Sequence, residues 1–198
     1  MGNTASGDYS LVAGNKNTAS GDYAVAAGYT TEASGNYSFA FGSGNTASGN
    51  SSVAFGSGNT ASGSQSVAVG GGNTASGVTS FVIGGGNIAS GASSFAGGGG
   101  STSAGQYSIA FGGGCSSPYD YSYAFGAGTI TTGTQAFAAG GAAQAGPYAA
   151  AFGNTTHATG NGSFAAGIGT TAAGEGSVAV GIHTTASYAG SVAFGHYT

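Results

Sequence analysis

The sequence predicts an all-β fold, a parallel β-roll or solenoid of about fourteen coils with two short strands per coil, forming one domain over residues 1–198. Three observations predict it. A glycine returns every fourteen residues, at Gly14, Gly28, Gly42, Gly56, Gly70, Gly84, Gly98, Gly112, Gly126 and Gly140. After a one-residue deletion in the 141–153 unit it continues at Gly153, Gly167, Gly181 and Gly195. Self-similarity at a short fixed period is the mark of stacked coils. Bulky and small residues alternate with period two near the end of each unit, as in a strand with two distinct faces. Finally, 44 of 198 residues are Gly and Trp is absent, so a single thick core cannot be built, whereas a thin core repeated many times can.

Each element follows from its column. With the anchor glycine as position zero, the unit Gly42–Gly56 reads G-S-G-N-T-A-S-G-N-S-S-V-A-F-G. The run S-V-A-F-G at positions ten to zero is expected to be one strand and N-T-A-S-G at positions three to seven the other. Glycines at zero to two and at seven are expected to supply turn dihedrals. The large residues at positions eleven and thirteen, such as Val53 and Phe55, are expected to point inward against Ala at five and Gly at seven. They trade size: Phe95 stands with Gly97, Phe137 with Ala139, Ala150 with Phe152, and Phe164 with Ala166. That placement leaves Ser at ten and Ala at twelve as a flat outer packing face, including Ser38, Ala40, Ser52, Ala54, Ser66 and Ala68. The opposite face carries a hydroxyl ladder through Thr18, Thr46, Thr60 and Thr74. Unit 113–126 is irregular, with Cys115, Pro118, Tyr119, Asp120, Tyr121 and Tyr123 in place of the usual turn.

Charge excludes several functions. Lys16 is the sole Lys or Arg, set against five acids, for a net charge of −4. Neither nucleic acid nor an anionic membrane surface finds its counter-charges here. No stretch is apolar for long enough to span a bilayer as a helix, so no membrane insertion is expected, and the start MGNTASGDYS shows no signal-peptide pattern. The acids are scattered singly, and His157, His183 and His196 fall in different phases, so no catalytic, cofactor or metal site is expected. The glycine strings 97–100 and 112–114 lack the lysine and helix of a phosphate loop. Cys115 is alone and forms no internal disulfide.

Two columns invite contacts. Tyr9, Tyr23, Tyr37, Tyr107, Tyr121 and Tyr148 share position nine and, with Tyr119, mark a contact edge for a ligand, a sugar or a neighbouring subunit. Tyrosine offers apolar area and a hydroxyl at low entropic cost; stacking between successive coils is the competing use. The Thr ladder raises ice binding as an alternative, although Glu32, Ile88, Ser116, Ile130 and His157 interrupt its column.

The string S-V-A-[FVI]-G stands at Ser52–Gly56, Ser66–Gly70, Ser108–Gly112, Ser177–Gly181 and Ser191–Gly195, and more loosely at Ser38–Gly42 and Ser80–Gly84. Followed by x-x-[NTS]-x-A-S-G, it resembles the YadA-like head repeats of trimeric autotransporter adhesins, and also repeats in viral and phage fibres. The resemblance covers residues 3 to 195 and implies a left-handed β-roll, usually trimeric, acting as an adhesive or spacing head. The sequence differs in its frequent Phe at position thirteen, its scarcity of charge, and its lack of a stalk, neck or anchor pattern. Neither end carries a capping pattern and their phases match, so head-to-tail filaments are expected beside a trimer. The functional expectation is a non-enzymatic, self-associating structural protein of an extracellular, cell-surface or virion-surface fibre, with an adhesive role toward a receptor or matrix. A head fragment of a trimeric adhesin is the alternative within the same family.

Overall fold

The computed structural model describes residues 2–198 and contains two compact units, one ending at Gly100 and the other spanning Ser101–Thr198. Each described coil contributes one five-residue and one two-residue strand, and no helix occurs among the described residues. In the first unit the long strands run from Leu11–Asn15 to Phe95–Gly99 and the short ones from Thr4–Ala5 to Ile88–Ala89. Each pairs in parallel with its counterpart in the next coil. Val53–Ser57 thus lies beside Val67–Gly71 with Val53 opposite Val67 and Gly56 opposite Gly70. The second unit repeats this arrangement, from Thr102–Ser103 to Thr185–Ala186 and from Ile109–Gly113 to Val192–His196. The one-residue deletion leaves sheet register intact, with Ala138 opposite Ala151 and Gly140 opposite Gly153. The turn at Gly146, Pro147 and Tyr148 absorbs it.

The interior reverses the expected sidedness. Ala40, Ala54 and Ala68 at position twelve have no exposed surface, and Ser38, Ser52 and Ser66 at position ten have 1 % or less. They face Ala19, Ala33, Ala47, Ala61 and Ala75 from position five, which are equally buried. The expected outer packing face is therefore the core. Phe39, Phe41, Phe55, Phe81 and Ile83, expected inside, are 37–47 % exposed on the outer side of the long strands. The reason is spacing. A coil of fourteen residues sets its two sheets so close that Ala, Ser, Asn and Thr fill the gap, and a phenyl ring has no room. Successive coils are tightly stacked as well: a Cβ on Gly21 would run into the carbonyl of Gly35 in the next coil, and one on Gly35 into that of Gly49. The apolar gain per coil is small, roughly 25 cal/mol per Å² of buried apolar surface. Backbone pairing along every strand, with almost no loop to order, carries much of the remainder.

Glycine at position seven is thus favoured by close approach rather than by dihedral, since Gly7, Gly21 and Gly35 have no positive φ, and two coils place Tyr119 and Tyr188 there instead. The left-handed positions are zero, two and nine. At zero, φ lies near +120° in Gly42, Gly56 and Gly70, a conformation side chains rarely adopt.

Position three holds buried asparagines in the first unit: Asn17, Asn45, Asn59, Asn73 and Asn87. Asn59 Nδ2 donates to the carbonyls of Phe55 at 3.0 Å and Gly70 at 2.8 Å, and its Oδ1 accepts the N–H of Asn73 at 3.0 Å. The amide thereby ties the two strands of its coil to each other and to the next coil. In the second unit the same column reads Ser101, Cys115, Thr129, Ala143, Thr156, Thr170 and Thr184.

Candidate interaction surfaces

With the small residues turned inward, the outer side of the long strands becomes an apolar face. In the first unit Phe41 stacks on Phe55 with ring centroids 5.3 Å apart, Phe39 lies 6.3 Å from Phe41, and Phe81 stacks on Phe95 at 5.4 Å. In the second unit the rings cross between columns. Phe137 at position eleven packs 5.1 Å from Phe152 at position thirteen, which packs 5.8 Å from Phe164 back at position eleven. The size trade seen in the sequence is accordingly real in its residues but external in its place. Ala139 lies opposite Phe152, and Ala150 opposite Phe164, leaving room for the diagonal rings on the outer surface.

The outer side of the short strands is mostly polar, with Ile88 and Ile130 exposed in the same column. Thr18, Thr46, Thr60 and Thr74 are half-buried there. Thr46, Thr60 and Thr74 stand in consecutive register, whereas Thr18 is followed by Glu32. A coil therefore presents one oily and one hydroxylated flank.

The tyrosines at position nine occupy the turn between them. Tyr9, Tyr23 and Tyr37 form a continuous stack, with centroid separations of 5.0 and 5.1 Å and interplanar angles of 13° and 2°. Tyr107 stacks on Tyr121 at 5.2 Å. All five have φ of 54–57°. The left-handed conformation costs a non-glycine residue about 1–2 kcal/mol, comparable to the roughly 0.5–1.5 kcal/mol of an aromatic pair. Gly162, Gly176 and Gly190 occupy the same turn position without that cost. Tyr148 shares the conformation and is exposed, with its backbone N–H on the Thr134 carbonyl. Tyr119 stands apart: it replaces the position-seven glycine, and its carbonyl lies where a side chain on Gly105 would be. Its ring is 43 % exposed and outside the stacks. The edge predicted from sequence thus contains two stacks and two separate tyrosines.

Chemistry-bearing groups remain dispersed. No three of His, Cys, Asp and Glu gather at metal-binding range among the described residues. Cys115 is buried in the asparagine column, where its Sγ lies 3.2 Å from the Gly126 carbonyl and accepts the Thr129 hydroxyl at 3.0 Å. Asp22 Oδ1 accepts the N–H of Asp8, and Asp120 Oδ1 that of Gln106, so both carboxylates bridge adjacent turns.

A family model described as the YadA head domain repeat, in two copies, matches residues 5–31, 19–45, 33–59, 47–73, 61–87, 145–170 and 172–198. The chain belongs to the YadA head-repeat family. The matches leave out residues 88–144, which include the irregular unit 113–126. No curated protein matches the chain. As a YadA-type head, the molecule carries its variable residues outside. Position eleven ranges over Leu, Val, Phe, Ile, Tyr and Ala, whereas position twelve is Ala in all units but two, with Val12 and Val82 the exceptions. That contrast, present within the chain's own repeats, is the signal by which the exposed apolar columns could have been found. A column confined to one small size marks a tight interior, and a column free in size marks an outer face.

Proposed function

We propose that this chain is an adhesin-like head segment of a surface fibre that works as a homo-oligomer, with copies joined through the apolar outer face of the long strands. The observation that carries the reading is the exposure of Phe39, Phe41, Phe55, Phe81 and Ile83 in one unit and of Phe111, Phe152, Phe164 and Phe194 in the other. Contiguous apolar faces on soluble proteins mark association sites, and only six charged residues are present to oppose contact. Three copies turning this face toward a common axis would bury it, consistent with the trimeric adhesins in which such heads occur. The polar Thr/Ser flank and the tyrosine turns then face outward, where a matrix or receptor is met. The role is scaffolding and contact, and the location is the outside of a cell or virion.

The test is the oligomeric state of the purified chain by sedimentation. A discrete trimer is expected, and a variant carrying Phe41→Gln, Phe55→Gln and Val69→Gln should sediment as a monomer with an unchanged β-sheet circular dichroism spectrum. A wild-type chain that stays monomeric at high concentration overturns the reading. Particles that lengthen with concentration would instead indicate head-to-tail filaments.

A further inference from the structure

We propose that the stacked tyrosines are sites of oxidative coupling, at which neighbouring coils become joined by dityrosine links at Tyr9–Tyr23, Tyr23–Tyr37 and Tyr107–Tyr121. The proposal does not depend on the oligomeric state.

Composition directs oxidation to these rings. Trp is absent, Met occurs once, and the single Cys is buried in the interior. Oxidation of sulfur side chains needs access, and Cys115 is buried. The exposed, readily oxidised groups are therefore phenols. Tyr9, Tyr23 and Tyr37 are 82 %, 49 % and 63 % exposed, and Tyr107 and Tyr121 are 46 % and 45 %.

Geometry then selects partners. The turn repeats in register, so successive side chains leave the backbone in parallel, with ring centroids 5.0–5.2 Å apart. Rotation about the Cβ–Cγ bond of an aromatic residue is broad and two-fold. The unpaired electron of a phenoxyl radical lies in a π orbital, so ortho carbons couple from the facing sides of stacked rings, and a tilt and slide of the two rings brings one ortho carbon over the other. Tyr23 has an ortho carbon on each side, so it can join both Tyr9 and Tyr37.

The chemistry needs a peroxidase-type oxidant with hydrogen peroxide. Each of two phenols gives up one electron and one proton, and the peroxide is reduced to two water molecules. The two phenoxyl radicals form one carbon–carbon bond between ortho positions. The two ortho hydrogens shift to the oxygens, which restores both hydroxyls. The protein loses two hydrogen atoms per link. Each link fastens one coil to the next at a turn and adds a covalent tie to the backbone hydrogen bonds that join Tyr23 to Asp8, Tyr37 to Asp22 and Tyr121 to Gln106.

The experiment treats the dilute full chain with peroxidase and limiting hydrogen peroxide, then maps linked peptides by mass spectrometry after digestion. Links at the three named pairs are expected, with dityrosine fluorescence, a two-hydrogen mass loss per link and no covalent dimer on a denaturing gel. Tyr23→Phe should remove both links of the first unit and leave Tyr107–Tyr121, and Tyr121→Phe should do the reverse, each keeping the wild-type circular dichroism. Absence of dityrosine overturns the proposal. So do links mainly at Tyr29, Tyr119 or Tyr188, links mainly between chains, or yields unchanged in the two variants.

Discussion

Asn45 accepts the backbone N–H of Asn59 through its Oδ1 at 2.8 Å, fourteen residues further along the chain. Its Nδ2 meanwhile donates to the carbonyls of Phe41 at 2.8 Å and Gly56 at 2.7 Å. One buried amide thus satisfies three backbone groups in two coils. Replacing Asn59, its equivalent one coil on, by Ala should cost about 3 kcal/mol, because buried donors and acceptors left without partners are penalised individually. Asn59→Asp should be at least as damaging, since a carboxylate offers acceptors to the carbonyls of Phe55 and Gly70. Denaturation midpoints measure both, with the outward Thr60→Ala as a control expected to shift stability by under about 0.5 kcal/mol.

The second unit lacks this amide at every coil, and the buried hydroxyls of Thr156 and Thr170 have no partner. Thr170→Asn should therefore raise stability by about 1 kcal/mol, by donating to the Ala166 and Gly181 carbonyls as the first-unit asparagines do. A thermal melt of the variant beside the wild type checks it; a lower midpoint would show that the second unit's interior is too narrow for the amide.

Sidedness is tested by two adjacent residues. Ala54 is fully buried and Phe55 is 47 % exposed. Ala54→Leu should destabilise the fold by about 3 kcal/mol, the upper end of the usual range for overpacked cores, because the interior around it is already filled by buried Ala and Ser side chains. Phe55→Ser should leave the fold standing and weaken association. Circular dichroism melting and sedimentation, run on both, separate the two effects.

Cys115 provides a probe of opening. With its Sγ enclosed by the Phe111 and Gly126 carbonyls and the Thr129 hydroxyl, it should resist thiol reagents in the native state. Its labelling should follow the local opening of its coil and accelerate with denaturant. Rapid labelling in buffer, matching that of an unfolded control, would contradict the buried placement. Labelling kinetics followed by mass spectrometry give the answer.

Much of this architecture was legible in the sequence. The glycine period, the two strands per coil and the parallel stacking all follow from columns that repeat in phase, and the deletion in the 141–153 unit was readable from the shifted glycine, while its place in the turn before Ala150 came from the structure. Sidedness was misread because alternation tells which residues share a face but not which face is the core. Hydrophobic size usually decides that question, and here Phe41 and Phe55 lose to Ala40 and Ala54 because a fourteen-residue coil leaves a gap between its sheets that small side chains fill. The reason for glycine at position seven was hidden similarly: Gly21 is required by the carbonyl of Gly35, fourteen residues away, and not by its own dihedral. The tyrosine edge was visible as a column, whereas its division into two stacks depended on which coils carry Tyr in succession.

The filled, narrow interior also separates two kinds of inheritance. Requirements for folding are written in the glycine, alanine and asparagine columns, and requirements for contact in the columns between them, so scarcely a residue must serve both. Surface lettering can be rewritten coil by coil while the scaffold stays unedited, and the outer columns are free to drift without a toll on folding.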